Sequence, residues 1–148
     1  MKKIIICGGH LTPALALIEE LENQKGLEII FFGRKKTTAR SQNPSLEYEV
    51  AKKHQIKFHN LTAGKLQRKF TRYTLLWLVK IPVGFIQSFI YLLLERPNLV
   101  VSFGGYLSTP VVFCAWLLGI DSITHEQASV PGLATRINSL FTQKIFLS

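Results

Sequence analysis

A chain of 148 residues, 47% hydrophobic with a mean hydropathy of +0.21, is long enough to bury one core and too apolar to stay disordered. Its formal charge of +9 calls for an anionic partner: nucleic acid, anionic lipid or a phosphorylated substrate. Two cysteines, Cys7 and Cys114, sit in apolar runs without metal-ligand spacing, which argues against a thiolate site and predicts small buried hydrophobes.

Met1-Lys2-Lys3 is followed by too few apolar residues for a secretory signal, so the chain is expected to stay in the cytoplasm. The β-branched run at 3–7 predicts a strand, followed by Gly8-Gly9 and a helix over 13–25 that Gly26 stops. A second strand is expected over 27–32, ending at Gly33. Residues 34–44 are polar, basic and turn-rich and read as a loop, before a helix over 45–55 and a short strand over 56–60.

The stretch 73–94 is almost wholly apolar, interrupted by Lys80, Pro82, Gly84, Gln87 and Ser88. Its length raises a transmembrane reading, but Lys80, Gln87 and Pro82 in its middle speak against one. A span would also separate two glycine loops that belong to one sheet. The pattern predicts a helix pair or a kinked helix, partly core and partly inserted into a lipid surface. Lys65, Arg68, Lys69 and Arg72 before it form a basic cluster suited to anionic headgroups. Trp77, Leu78, Ile81 and Phe85 fall at helical spacings as lipid contacts, with core packing as their competing role, and Trp116 is expected to join the patch.

An apolar strand over 99–103 then leads into Gly104-Gly105, a helix over 110–118 stopped by Gly119, a strand over 122–125, a helix over 131–141 and a strand over 144–147. Strands apolar on both faces that alternate with helices predict the α/β class: a Rossmann-like, doubly wound parallel sheet whose ligands bind at the carboxyl ends of the strands.

The most informative feature is a repeated pattern. Gly8-Gly9-His10-Leu11-Thr12-Pro13 and Gly104-Gly105-Tyr106-Leu107-Ser108-Thr109-Pro110 each follow an apolar strand and open a helix. Paired glycines let backbone approach a ligand closely, and Thr12 and Thr109 suit the N-cap with the prolines at the first helical position. Helix starts present free N–H groups and a positive dipole end to an anion. Two such loops fit a diphosphate, contacted by Gly8, Gly9, His10, Thr12, Gly104, Gly105, Tyr106 and Ser108. The plainer reading is a pair of tight strand-to-helix turns. Neither loop is the full dinucleotide fingerprint, and Gly33-Arg34 stands where an acidic residue would end the second strand, which argues against NAD.

Gly8-Gly9-His10 with Pro13-Ala14-Leu15-Ala16, then Ser102-Phe103-Gly104-Gly105-Tyr106, then His125-Glu126-Gln127 resemble the MurG family, in order and with fitting spacing from Ile4 to Ser148. The resemblance implies the N-terminal half of a two-domain GT-B glycosyltransferase. Residues 1–148 would be the acceptor-binding domain, and the C-terminal domain that binds most of UDP-N-acetylglucosamine would be absent. It implies inverting transfer of N-acetylglucosamine to undecaprenyl-diphosphate-MurNAc-peptide, the step from lipid I to lipid II in peptidoglycan synthesis, at the cytoplasmic face of the bacterial membrane. The isolated chain is expected to be inactive. Where the family reads Gly-Gly-Thr-Gly-Gly-His, Ile5-Ile6-Cys7 replace the first three residues, and Ala128 stands where the family has Asn after His-Glu-Gln.

His10, at a helix start beside a diphosphate, suits either a phosphate contact or the general base at the acceptor hydroxyl. Glu126 is the competing base or a hydroxyl-orienting group. Its neighbours His125 and Gln127 belong to the cleft, although adjacent residues on extended backbone point to opposite sides. Alternatively the trio braces the following helix. His54 and His59 receive no role, and Arg136 and Asn138 read as helix-surface residues. No cofactor or metal is implied. Nucleic acid is disfavoured, because the basic residues are not interleaved with aromatics in a known motif. Besides the enzyme half, a non-catalytic subunit of a split glycosyltransferase that recruits a polyprenyl-diphosphate acceptor fits the same residues.

Overall fold

The computed structural model describes residues 1–37, 43–62, 74–128 and 130–148, the stretch 74–80 by its backbone alone. Strands β1 (Lys2–Cys7), β2 (Leu27–Gly33), β3 (Lys57–Asn60), β4 (Leu99–Ser102), β5 (Ser122–Glu126) and β6 (Lys144–Leu147) form one sheet. They alternate with helices α1 (Leu11–Leu21), α2 (Leu46–Lys53), α3 (Thr74–Glu95), α4 (Ser108–Leu117) and α5 (Leu133–Asn138). Every pairing is parallel, in the order β3-β2-β1-β4-β5-β6. The winding direction therefore reverses between β1 and β4, the switch point where open α/β sheets take their ligands.

Alternation along the strands divides the core in two. Ile5, Cys7, Ile30, Phe32 and Val100 pack with Leu92 of α3 and with Val111 and Cys114 of α4. Ile6, Ile29, Phe31 and Val101 pack on the other face with Ala14 and Ile18 of α1 and Ala51 of α2. Each fully buried Ile or Phe contributes about 1.5–3 kcal/mol relative to exposure, and these strands supply several per face. Both cysteines are free and buried, as expected.

Two helix starts differ from the sequence expectation. α1 begins at Leu11 and α4 at Ser108, with His10 and Leu107 as N-caps and no side-chain cap bond at either. Thr12 and Thr109 are therefore second helical residues, and each proline is third. First-turn N–H groups have no intrahelical acceptor, so proline is accommodated at the third position as well as the first. α2 does carry the expected chemistry: Ser45 caps it by accepting from the Tyr48 N–H, with Glu47 and Glu49 in the first turn and Lys52 and Lys53 in the last.

α3 is one continuous helix through Pro82 rather than a pair. Three of the residues that interrupt its apolar run, Gly84, Gln87 and Ser88, face the protein, whereas Pro82 is exposed. Gly84, Ser88 and Leu92, four apart, are buried, and the Ser88 hydroxyl donates to the Gly84 carbonyl at 2.7 Å. The Cys114 thiol reaches the Phe85 carbonyl at 3.4 Å, and Gln87 Oε1 accepts the Thr62 N–H at 2.7 Å. Phe85, expected at the lipid, packs edge-on against Phe113 at 5.4 Å on the inner side, and Ile81 is half-buried. The solvent side of α3 is instead apolar: Val83, Ile86, Ile90, Leu93 and Leu94 are exposed. Among the described residues no helix is long and apolar enough to cross a membrane. The cluster Lys65, Arg68, Lys69 and Arg72 lies outside the described residues, as do the side chains of Trp77 and Leu78.

At the amino end of the sheet a buried carboxylate ties three elements. Glu95 pairs with Lys57 at 2.8 Å, His59 at 2.6 Å and Lys3 at 3.4 Å. Burial alone would raise its pKa, but the bonds from Lys57, His59 and Lys3 and the Lys57 charge outweigh it and hold the group at about 2.

Candidate functional site

At the carboxyl edge β1 and β4 run side by side with Cys7 opposite Ser102, so the two glycine pairs that follow meet. The Phe103 N–H donates to Cys7 O at 2.8 Å and the Gly9 N–H to Gly104 O at 3.1 Å. Gly8 (φ +129°) is buried, and a Cβ there would stand 2.7 Å from Gly104 O and 2.8 Å from Phe103 backbone atoms. A Cβ on Gly105 (φ +75°) would come within 3.2 Å of Gly9 N. These glycines thus let one loop lie against the other. Gly9 differs, since a Cβ on it would meet only Gly105 Cα, at 3.7 Å.

The contact leaves a specific set of donors. The Gly9 N–H is engaged by Gly104 O, the Gly104 N–H by Ser102 Oγ at 3.3 Å and the Ser108 N–H by Gly105 O at 3.1 Å. The N–H groups of Leu11 and Thr12 in the first turn of α1 have no intrahelical acceptor. Those of Gly105 and Tyr106 are unengaged among the described residues. Gly8 and Ser108 are both buried in the loops, and the Ser108 hydroxyl donates to Gly105 O at 2.8 Å.

Beneath the second loop is a polar brace. Asn138, expected on a helix surface, is 0% exposed, and its Nδ2 donates to Ser108 Oγ at 2.8 Å and Ser102 Oγ at 3.3 Å. One amide on α5 therefore holds both serines, and the serines hold Gly104 and Gly105. The available sequence signal was the i, i+3 pair Thr135 and Asn138, both buried on the inner side of α5.

Glu126 is 3% exposed and accepts from the Ala128 N–H at 3.0 Å, the Gly132 N–H at 3.4 Å and the Thr135 hydroxyl. Burial would raise its pKa, but these three donors and the His10 charge lower it on balance. A carboxylate so engaged holds the loop into α5, the bracing alternative. Thr135 in turn supports Gly104, whose Cβ would meet Thr135 Oγ1 at 3.3 Å. His125 points to the opposite face, its ring 5.6 Å from that of Phe103, while Gln127 and Ala128 are exposed.

His10 is exposed, with Nδ1 2.8 Å from the Phe103 carbonyl. A carbonyl only accepts, so Nδ1 carries the proton, and in the neutral ring Nε2 keeps a free lone pair. Across the edge, the Arg34 guanidinium lies 5.6 Å from the centroid of the Tyr106 ring. Burial pushes the Tyr106 phenol up against the pull of that charge. Arg34 was read as the start of a loop and, at the end of the second strand, as evidence against NAD, without a role at the glycine loops. Among the described residues no group of three or more His, Cys, Asp or Glu is arranged to hold a metal.

The glycosyltransferase family 28 N-terminal domain matches residues 7–147. The UDP-N-acetylglucosamine--N-acetylmuramyl-(pentapeptide) pyrophosphoryl-undecaprenol N-acetylglucosamine transferase of Clostridium kluyveri is 38% identical over 149 residues, 98% of this chain and 40% of that protein. The Treponema denticola protein of the same name is 40% identical over 141 residues, 95% of this chain and 36% of its own length. The chain thus spans about two-fifths of these relatives. Among solved structures, MurG from Acinetobacter baumannii superposes over 100% of this chain and 41% of its own with a TM-score of 0.78 at 22% identity. A Neisseria meningitidis UDP-GlcNAc 2-epimerase covers 99% and 40% with a TM-score of 0.64 at 15% identity, a likeness of fold. With a family match across residues 7–147 and two glycine loops meeting at the β1/β4 switch point, the chain belongs to the glycosyltransferase family 28 N-terminal domains.

Proposed function

We propose that this chain is the acceptor-binding half of an inverting N-acetylglucosaminyltransferase that converts undecaprenyl-diphosphate-MurNAc-peptide to lipid II. UDP-N-acetylglucosamine would be held mainly by a second domain. The observation that carries the reading is the meeting of the two loops at the β1/β4 switch point, with His10 fixed on the Phe103 carbonyl beside them. The acceptor diphosphate lies across the loops, taking the N–H groups of Leu11, Thr12, Gly105 and Tyr106 and the positive ends of α1 and α4.

His10 is the general base. Its Nε2 takes the proton of the acceptor hydroxyl as that oxygen attacks the anomeric carbon, and UDP leaves with the electrons of the broken bond. The Phe103 carbonyl orients the ring and supports the imidazolium that forms. Glu126 is a positioning residue, because its carboxylate already receives three donors.

The same half rests on the membrane surface at its cytoplasmic face. The apolar outer side of α3, with half-exposed Trp116 and exposed Leu117 of α4, supplies the contact, and Lys65, Arg68, Lys69 and Arg72 supply charge for anionic lipid. Ile86→Glu with Ile90→Glu would weaken sedimentation with anionic vesicles while leaving the fold intact.

The testing experiment is His10→Ala in the enzyme that contains this half. Retained binding of a polyprenyl-diphosphate acceptor with turnover reduced by roughly 10²–10⁴ supports the base. Equal loss of binding and turnover would assign His10 to phosphate contact instead.

A further inference from the structure

The loop after β2 carries Arg34, a cation at the same edge of the sheet as the glycine loops. β2 pairs with β1 with Phe32 opposite Cys7, so one strand spacing, about 4.8 Å, separates their carboxyl ends. Extending that register two residues sets Arg34 level with Gly9. On the other side, Cys7 opposite Ser102 sets Gly9 level with Gly104, and the Gly9–Gly104 hydrogen bond agrees. Arg34 and both glycine loops therefore occupy one row along the edge.

The Arg34 side chain is built into this row. Its guanidinium rests on the ring of Tyr106, the residue directly after Gly105. Its backbone is held from below: the Arg34 carbonyl accepts from the Ser45 hydroxyl, and the buried Glu47 carboxyl takes a bond from the Arg34 backbone N–H. Its donors are under-used. Nε is buried without a partner among the described residues, Nη1 reaches Thr37 O at 3.5 Å, and one further bond goes to the Tyr106 hydroxyl, which leaves part of the fork free. No carboxylate pairs with the guanidinium within 4.0 Å among the described residues, although Glu47 feels its charge. The neighbouring Lys35 turns away, over Tyr48.

Chemistry at this position is informative. In dinucleotide folds the end of the second strand reads the ligand group beyond the one on the first glycine loop, with an acid for a ribose and an arginine for a phosphate. A planar guanidinium with spare donors suits phosphate bidentately. We propose that Arg34, seated on Tyr106, binds the second phosphate of the acceptor and so makes this edge select a diphosphate over a monophosphate. The inference rests on the reading of the glycine loops as the diphosphate site. Tyr106 fixes the plane of the guanidinium, and Glu47 fixes the turn that presents it.

The test is calorimetric titration of the chain with farnesyl phosphate and farnesyl diphosphate. The unmodified chain should prefer the diphosphate. Arg34→Met, which keeps an aliphatic side chain of similar length, should weaken the diphosphate by roughly tenfold to a hundredfold and leave the monophosphate within about twofold. Arg34→Lys should keep part of the preference, as a point charge without the fork. An unchanged diphosphate preference in Arg34→Met would overturn the role of Arg34 and leave the glycine-loop reading standing. Equal weakening of both ligands would make Arg34 a support for the loops and also overturn it. Failure of the unmodified chain to bind either ligand would remove the glycine-loop reading and this inference together.

Discussion

The Gly8-Gly9 loop and the Gly104-Gly105 loop share a sequence pattern, but they are built differently. Among the described residues no side chain supports the first from below: Gly8 is buried against the second loop, Gly9 is open, and exposed His10 leads straight into α1. The second rests on fully buried Ser102, Ser108 and Asn138, and on Thr135, which Glu126 holds. One loop therefore presents chemistry, and the other is the fixed surface against which it is presented. A repeated motif specifies a shared backbone path, whereas the residues beneath it decide which copy is rigid.

The largest effect that would break this pairing is Gly8→Ala. The added Cβ meets only backbone atoms, at 2.7–2.8 Å, and φ is +129°. A loss of roughly 3 kcal/mol or more in urea unfolding is expected. Asn138→Ala comes next. It removes two hydrogen bonds and leaves buried serines less satisfied, for about 2 kcal/mol, and it loosens the second loop more than the first. Hydrogen exchange at Gly105 and Tyr106, compared with His10 and Leu11, checks the asymmetry.

A third prediction concerns the opposite end of the sheet. The Glu95 pKa is depressed in the folded chain, so its stabilisation is present above the ordinary carboxylate value of about 4.5 and lost as pH falls toward about 2. Glu95→Gln should flatten the fall of Tm across that window. A residual slope of the same sign from Glu126, also depressed, should remain. The smallest effect is Gly26→Ala: nothing lies within 4 Å of the added Cβ, so only φ +82° opposes it, at about 1 kcal/mol. If Gly8→Ala cost no more than Gly26→Ala, the loop-on-loop packing would be refuted.

Much of this was legible in the chain, and the exceptions have physical causes. The central strands and the convergence of the glycine pairs followed from apolar runs at regular intervals, because a parallel sheet covered on both sides leaves its inner strands no polar face. The helix starts at Leu11 and Ser108 were misplaced because proline satisfies any first-turn position. Gly84 and Ser88 read as breaks in an apolar stretch, yet both are buried on the inner side of α3, next to the Phe85 carbonyl that the Cys114 thiol of α4 reaches. Asn138 escaped notice because an amide on a short helix resembles a solvent residue until its partners, 30 and 36 positions earlier, are known. Arg34 was visible at the end of the second strand, but its seat beside Tyr106 was not, because register rather than local sequence brings the two together.

The central claim, that both loops hold one diphosphate, is tested most directly by following backbone amides of the isotopically labelled chain during titration with inorganic pyrophosphate. Leu11, Thr12, Gly105 and Tyr106 should shift together and saturate at one concentration, and Asn138→Ala should weaken the response at Gly105 and Tyr106 first. Shifts confined to the basic cluster at Lys65–Arg72, or no saturation at either loop, would contradict it.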